Sequence, residues 1–154
     1  MNDGKTCKKV GMKCLIPVAA VFVVLFVFQW LYHGIYMLPA YEATADMWRS
    51  EAEMQELMWI CYVTKLLMAF ALSAIYCCVS YGADCQGKSM KKGFGFGLMI
   101  GLFLGAHDFA SYIWMPIDMS MAIHWFVGDI IMGVLIGVTL AFVTSKCKGE
   151  GKTA

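Results

Sequence analysis

The chain has 154 residues, of which 60% are hydrophobic and 15% are charged, and its formal net charge is +1. This composition excludes an ordinary soluble domain, since about 25% of the residues in such a domain are charged. The nearly balanced charge also excludes a nucleic-acid-binding protein, because no basic patch is present beyond what membrane orientation requires. The composition predicts an integral membrane protein whose main partner is the lipid bilayer.

Four apolar runs, each 23 to 25 residues long, account for this composition: residues 15–38, 57–81, 93–115 and 119–143. A helix of about 20 residues crosses a hydrocarbon core about 30 Å thick, so each run is long enough to span it with some tilt. A transmembrane β-barrel would show short alternating segments instead. We therefore predict an all-α, polytopic membrane protein with one domain over residues 1–154 and four transmembrane helices in an antiparallel bundle.

Charged residues are segregated between the two sides of these runs. Ten of the twelve basic residues precede the first run, lie in the linker 82–92 or follow the last run. The linker 39–56 carries five acidic residues and one basic residue: Glu42, Asp46, Glu51, Glu53, Glu56 and Arg49. The positive-inside rule predicts an extracytoplasmic acidic linker, a cytoplasmic basic linker and cytoplasmic termini. We expect the protein to be a multi-pass protein of a cell membrane, namely a bacterial inner membrane.

The first run is longer than the 7 to 15 apolar residues of a signal-peptide core, so we predict a retained helix. The aromatic residues near its end are typical of a belt at the level of the lipid headgroups: Trp30, Tyr32, Tyr36 and Tyr41. Further along, Ser50 and Glu53 have the spacing of a capping box. This spacing predicts that the second helix begins near Ser50 and enters the membrane from there.

Six ionisable residues lie in the apolar runs, all toward the side of the acidic linker: Lys65, His107, Asp108, His124, Asp129 and His33. We call these six residues the polar cluster. A charge in hydrocarbon costs about 2.5 to 3.5 kcal/mol, so these side chains are expected to face one another inside the bundle. With a rise of about 1.5 Å per residue, Lys65 and Asp108 lie at similar depths, and Asp129 lies nearer the midplane.

Glycine recurs at every fourth position of the third run and twice at this spacing in the fourth: Gly93, Gly97, Gly101, Gly105, Gly133 and Gly137. Small residues at this spacing let two helices approach closely. Because the connection between the last two runs is short, we expect these helices to be antiparallel neighbours in contact along the glycines. A glycine-lined pore or substrate path is the alternative. Asp108 and Asp129 continue the two glycine faces in helical phase.

Cysteines and histidines raise the question of a metal or a cofactor. Cys77, Cys78 and Cys85 lie near the predicted cytoplasmic side, where they could bind a soft metal ion or simply pack as small apolar residues. A haem held by His33 and His124, or a metal held by histidines with Asp108, is a further alternative. Because no paired-ligand motif repeats along the chain, we predict no cofactor and no metal.

No enzyme is predicted, because the chain lacks a phosphate-binding loop, a Gly-x-Ser-x-Gly motif and a His-Glu-x-x-His motif. Its aromatic residues, glycines and proline follow a spaced pattern: Trp30, His33-Gly34, Tyr41, Trp48-Arg49, Gly97 to Gly105, Pro116 and Trp125. With this pattern the chain resembles small four-helix bacterial inner-membrane proteins of uncharacterised function. The resemblance implies a fold and a membrane location, but no activity.

Two functions from different classes agree with these patterns. The first is a proton- or cation-linked small transporter or permeation unit, forming a homo-oligomer, with Asp129 at the base of an outward-open cavity and histidines as relay groups. The second is a non-catalytic accessory or assembly subunit of a membrane complex, in which Lys65 pairs with Asp108 or Asp129 and the glycine faces and the acidic outer linker dock a partner. The distances among these three side chains distinguish the two functions, together with whether a cavity reaches Asp129. A salt-bridged Asp129 without a cavity removes the main support for transport, and a water-filled funnel that ends at an unpaired Asp129 excludes the structural role.

Overall fold

The computed structural model describes residues 15–82 and 90–146, and these residues form helices and connecting turns without any strand. In chain order the elements are α1 (Leu15–Leu31), a π-helical turn (Tyr32–Tyr36), α2 (Leu38–Ala43), a 3-10 turn (Ala45–Met47), α3 (Glu51–Glu56), α4 (Met58–Gly82), α5 (Met90–Ala110), a second 3-10 turn (Ser111–Ile113) and α6 (Met119–Lys146). The predicted all-α class is therefore confirmed.

Four stretches of helix are long and apolar enough to cross a membrane: Leu15–Tyr36, Met58–Ser80, Met90–Ile113 and Met119–Ser145. They contain 22 to 27 residues each. This is the organisation of a multi-pass membrane protein, and the predicted number of spans is confirmed. The third span begins three residues before its predicted start, because Lys91 and Lys92 continue the helix. Lysine is a good helix former whose long side chain can reach the membrane surface from the first turn of the helix.

The long helices share one apolar core. Buried residues from α1, α4 and α6 form it: Val21, Leu25, Ala69, Leu72, Tyr76, Met132, Ile136, Leu140 and Ala141. Helix α5 packs against this core through Phe96, Ile100 and Leu104. Apolar side chains also cover much of the outer surface, and Ile113 is 78% exposed. Such a surface suits contact with lipid rather than with water.

Helices α5 and α6 meet backbone to backbone. All six glycines of the predicted stripes are buried: Gly93, Gly97, Gly101, Gly105, Gly133 and Gly137. A Cβ atom at Gly97 would collide with the carbonyl group of Gly133, and one at Gly101 would lie 2.7 Å from the Cα atom of Ile130. Residues later in α5 contact residues earlier in α6. The two helices therefore run in opposite directions.

The acidic linker folds over one end of the bundle. Residues 38–48, which we call the cap, pack against the segment that leads into α6. Buried Met37, Ile117, Met121 and Ala122 form the centre of this contact, and half-buried aromatic residues surround it: Tyr32, Tyr41, Trp48 and Trp125. We call the end of the bundle beneath the cap the acidic end. Sequence reasoning treated this stretch only as a linker and did not predict its packing.

Ser50 and Glu53 form the predicted capping box at the start of α3. The Ser50 hydroxyl accepts a hydrogen bond from the Glu53 amide at 3.4 Å, and the Glu53 carboxylate accepts one from the Ser50 amide at 3.1 Å. Hydrogen bonds from the Ser50 hydroxyl and amide hold the pKa of Glu53 below its ordinary value. The helix that begins here ends at Glu56, and Leu57 forms a turn before α4. Leu57 keeps helical backbone angles and donates to the Glu53 carbonyl at 3.2 Å, so the capped helix leads into the second span with an interruption of one residue.

Candidate functional site: a carboxyl pair and its polar surroundings

Four of the six residues of the polar cluster come together at the acidic end. Asp129 on α6 interacts with Asp108 on α5. His33, in the π-helical turn that follows α1, lies within electrostatic range of Lys65 on α4 and of Asp108. Each of the four spanning segments thus contributes one ionisable side chain to this region.

Lys65 is bound to a neutral partner rather than to an acid. Its side chain is buried, with 8% of its surface exposed, and its Nζ atom donates a hydrogen bond to Oε1 of Gln29 on α1. Gln29 precedes the end of the first span by seven residues, and Lys65 follows the start of the second span by seven, so the two lie at one depth. The Lys65 ion pair with Asp108 or Asp129, considered from the sequence, is not formed.

Asp108 and Asp129 face each other at the α5–α6 contact. Their carboxyl groups lie within interaction range of each other, and a hydrogen bond between two carboxyl groups would require one proton. The Oδ2 atom of Asp129 is buried without a hydrogen-bond partner. The glycines account for this approach, because Gly101 places the backbone of α5 directly against the carbonyl group of Asp129.

His107 lies outside this group. Its side chain is 78% exposed, and its Nδ1 atom is 3.1 Å from Oδ1 of Asp108, which is the one ion pair in the described part of the chain. Consecutive residues on a helix point about 100° apart. With Asp108 turned toward α6, His107 therefore points away from the bundle, and the expectation that all six residues face inward is wrong for it.

A chain of hydrogen bonds joins His33 to the cap and to α6. The hydroxyl oxygen of Tyr41 lies 2.6 Å from Nδ1 of His33, and the indole nitrogen of Trp125 donates to that same oxygen at 2.9 Å. The rings of His33 and Tyr41 are stacked, with centroids 6.1 Å apart. Trp48 packs edge-on against Tyr41 and donates to Thr44, so the cap itself supports this chain.

His124 has hydrogen-bond partners of its own. Its Nδ1 atom is 2.6 Å from the carbonyl oxygen of Ser120. A carbonyl oxygen only accepts, so Nδ1 carries the hydrogen and donates it. The Tyr32 hydroxyl donates to the carbonyl oxygen of His124 at 2.7 Å, and its ring lies against Gly128. His124 is therefore placed by α1 and α6, apart from the carboxyl pair.

Two cavities open beside His124 at the acidic end. One, of about 410 Å³, lies between the π-helical turn and α6 and is lined by Tyr32, Tyr36, Ile123, His124, Val127 and Ile131. The other, of about 330 Å³, lies between the cap and the start of α6, with Asp118, Ser120 and His124 in its wall. Neither of these two cavities reaches Asp129, so neither is the outward-open cavity expected above that residue.

The side chains considered for metal and haem binding are separated in the structure. Cys77 is buried and Cys78 is exposed, which places their thiols on different faces of α4, and Cys85 lies outside the described residues. Over residues 15–82 and 90–146, no three His, Cys, Asp or Glu side chains come together in the arrangement that a metal ion needs. His33 and His124 contact different partners, Tyr41 and Ser120.

Sequence reasoning missed Gln29 and the roles of Tyr41 and Trp125. Gln29 had a signal, because it is a lone amide within the apolar first run at the depth of Lys65. Tyr41 was assigned to an aromatic belt, since aromatic residues near span ends are usually interpreted in this way. Nothing in their spacing indicates that Tyr41 and Trp125 bond to each other, because 84 residues separate them in the chain.

No protein-family model, no curated protein and no solved structure matches the chain. Its function is therefore inferred from its own residues and their contacts.

Proposed function

We propose that the protein is a proton-linked small transporter or permeation unit in which Asp108 and Asp129 bind the proton. The observation that carries this proposal is the approach of two carboxyl groups at a close helix contact, where the only basic side chain of the described residues paired with either acid is the exposed His107, 3.1 Å from Asp108.

The choice of a proton follows from the groups that surround the pair. Two carboxylates held against each other, of which Asp108 is 49% exposed, repel each other unless a proton or a cation lies between them. Metal cations need several convergent ligands, and the described residues offer no group of three acidic, histidine or cysteine side chains. The proton is therefore the ion that this pair accommodates best.

Two contacts argue against the accessory-subunit alternative in the form stated above. Lys65 does not neutralise either acid, because it bonds to Gln29, so the described residues lack the Lys65 ion pair on which that alternative was based. The glycine faces of α5 and α6 are buried against each other. A partner that docked on them would first have to separate two helices of the same chain.

We further propose that the acidic end faces the outside of a bacterial inner membrane, with both termini in the cytoplasm. The excess of lysines beyond the other ends of the spans supports this orientation. Four helices packed around one core enclose little space, so a complete path would lie between protomers of a homo-oligomer or open when α5 moves relative to α4.

Proton flux into liposomes that contain the purified protein tests the proposal. With an imposed membrane potential and a pH-sensitive dye inside, native protein is expected to increase the flux above that of protein-free liposomes. Asp129→Asn should reduce it to the protein-free level, since an amide cannot bind and release a proton. Asp46→Asn is the matched control, because Asp46 is an exposed acid at the same end of the bundle.

Two results would contradict the proposal. Flux through native protein equal to that of protein-free liposomes would favour an accessory subunit. Equal flux through native protein and Asp129→Asn would show that protons pass without the carboxyl pair.

A further inference from the structure

The two cavities beside His124 share part of their walls. Tyr36 and His124 line both cavities, and the centroids of their rings lie 5.9 Å apart. We call the cavity of about 410 Å³ between the π-helical turn and α6 the groove, and the cavity of about 330 Å³ beneath the cap the cap cavity. The two cavities are therefore neighbours, close enough for one elongated molecule to reach from one into the other.

The groove is apolar and faces the lipid. Its residues on α6 include Ile123, Val127 and Ile131, which are all exposed and recur at every fourth position. Residues at this spacing lie in one line along a helix, and these three extend over about 12 Å. The three residues and the tyrosines opposite them, Tyr32 and Tyr36, all belong to membrane-spanning segments. A groove with such walls at this depth fits an acyl chain.

The cap cavity lies just beyond the ends of the same spans. One wall comes from the chain after the first span, at positions 37–44, and the other comes from the start of α6. Asp118, in that second wall, precedes the fourth span by one residue. The ends of spans lie at the level of the lipid headgroups. A lipid with its acyl chain in the groove therefore places its headgroup in the cap cavity.

Two polar groups of the cap cavity indicate which headgroup fits. The exposed carboxylate of Asp118 carries a negative charge and only accepts hydrogen bonds. Nδ1 of His124 donates to the Ser120 carbonyl oxygen at 2.6 Å, so Nε2 of the neutral ring is an acceptor as well. None of the described residues that line this cavity is a lysine or an arginine.

These acceptors favour a headgroup with a primary ammonium group. Such a group carries a positive charge and several N–H donors, which suit a carboxylate and an imidazole nitrogen together. A quaternary ammonium group has the charge but no N–H to donate. An anionic headgroup without an amine meets the negative charge of Asp118 and finds no basic side chain in the described wall.

We propose that the groove and the cap cavity together form a binding site for one phosphatidylethanolamine molecule. Its acyl chain lies along α6 in the groove, and its ammonium group donates hydrogen bonds to the carboxylate of Asp118 and to Nε2 of His124. Neither cavity reaches Asp129, so this site is distinct from the carboxyl pair. Binding of the lipid therefore does not depend on the proposed transport function.

Native mass spectrometry of the purified protein in detergent micelles tests the headgroup preference. Phosphatidylethanolamine, phosphatidylcholine and phosphatidylglycerol with identical acyl chains are added in turn, and the fraction of lipid-bound protein gives each affinity. We expect phosphatidylethanolamine to bind roughly tenfold more tightly than either of the other two, which is about the effect of one charge-assisted hydrogen bond. Binding of phosphatidylethanolamine no tighter than that of the other two lipids would overturn the proposal.

Asp118→Asn removes the negative charge and should eliminate most of this preference. Asp46→Asn is the matched control and should keep the native preference, because Asp46 is an exposed acid at the same end that lines neither cavity. If Asp118→Asn fails to fold, His124→Phe provides the second variant, since it retains an aromatic ring and removes the Nε2 acceptor. An unchanged preference in a folded variant of either residue would contradict the assignment of the headgroup.

Val127→Trp tests the groove separately. The larger side chain fills space along α6 that the acyl chain would occupy, so all three lipids should bind more weakly than to native protein. Phe103→Trp is the control, because Phe103 is an exposed residue of α5 outside both cavities, and it should bind the lipids as native protein does. Native affinity in Val127→Trp would show that the acyl chain does not lie in the groove.

Discussion

Helices α5 and α6 meet in two different ways along their length. Away from the acidic end, the glycines bring the two backbones together, and a Cβ atom at Gly101 would lie 2.7 Å from the Cα atom of Ile130. At the acidic end, the same pair of helices presents Asp108 and Asp129 to each other, with Oδ2 of Asp129 buried and unpaired. The first region is closed by backbone atoms, whereas the second retains polar groups whose partners can change.

The difference indicates where change is tolerated. A backbone contact has no flexible side chain that can move aside, so any added atom separates the helices. The polar groups at the acidic end sit on side chains and on the cap, where a hydrogen bond can break or reverse while the helices stay in place. The glycine contact therefore defines the fold, and it holds the carboxyl pair in register for its chemistry.

The largest effect is expected at the glycine contact. Gly101→Ala should lower the free energy of unfolding by about 3 kcal/mol, the upper end for overpacking, because the new methyl group meets backbone atoms of α6. Reversible unfolding in mixed detergent micelles, followed by circular dichroism, measures it. Gly95→Ala is the control, since a Cβ atom there has nothing within 4 Å, and it should stabilise the helix by about 0.5 to 1 kcal/mol. Equal effects at the two positions would contradict the assignment of the contact.

A smaller effect is expected at the buried bond between Gln29 and Lys65. Gln29→Leu should lower the free energy of unfolding by about 2 kcal/mol, because it leaves the Nζ group of Lys65 buried without its acceptor. The double variant Gln29→Leu/Lys65→Met should recover most of this loss, since two apolar side chains then fill the site. The same unfolding assay measures both variants. A double variant as unstable as Gln29→Leu alone would show that the bond contributes little.

The smallest effect concerns the capping box, whose groups are on the surface of the acidic end. The pKa of Glu53 is lowered by the Ser50 hydrogen bonds, so its contribution to α3 is fully present above the ordinary glutamate pKa of about 4.3. This contribution is lost as the pH falls through the lowered pKa. Amide hydrogen exchange over residues 51–56 should therefore accelerate in acid beyond its intrinsic pH dependence, and Ser50→Ala should remove this change. Glu56→Gln is the control at the other end of α3 and should keep it.

The fold was largely predictable from the sequence, and the candidate site was predictable only in part. The spans follow from apolar runs, because the thickness of the bilayer sets a minimum helix length. A helix rises by a fixed distance per residue, so the position of a residue in its span gives its depth in the membrane. This depth predicts that Lys65, Asp108 and Asp129 lie toward the same end of the bundle. Which of these side chains bond to one another depends on how the helices rotate and pack, and sequence position alone does not contain that information.

The amino-acid sequence by itself determined that this chain is a multi-pass helical membrane protein, since burying that many apolar residues in water-soluble form is impossible at this size. It also determined that glycine stripes occur on the last two helices and that charges lie within the spans. Only the tertiary structure decided that Lys65 bonds to Gln29 and leaves the two carboxyl groups to each other. It also brought Tyr41 and Trp125 together across 84 residues to hold His33. These pairings depend on helix rotation and on the folding of the cap, which are three-dimensional properties.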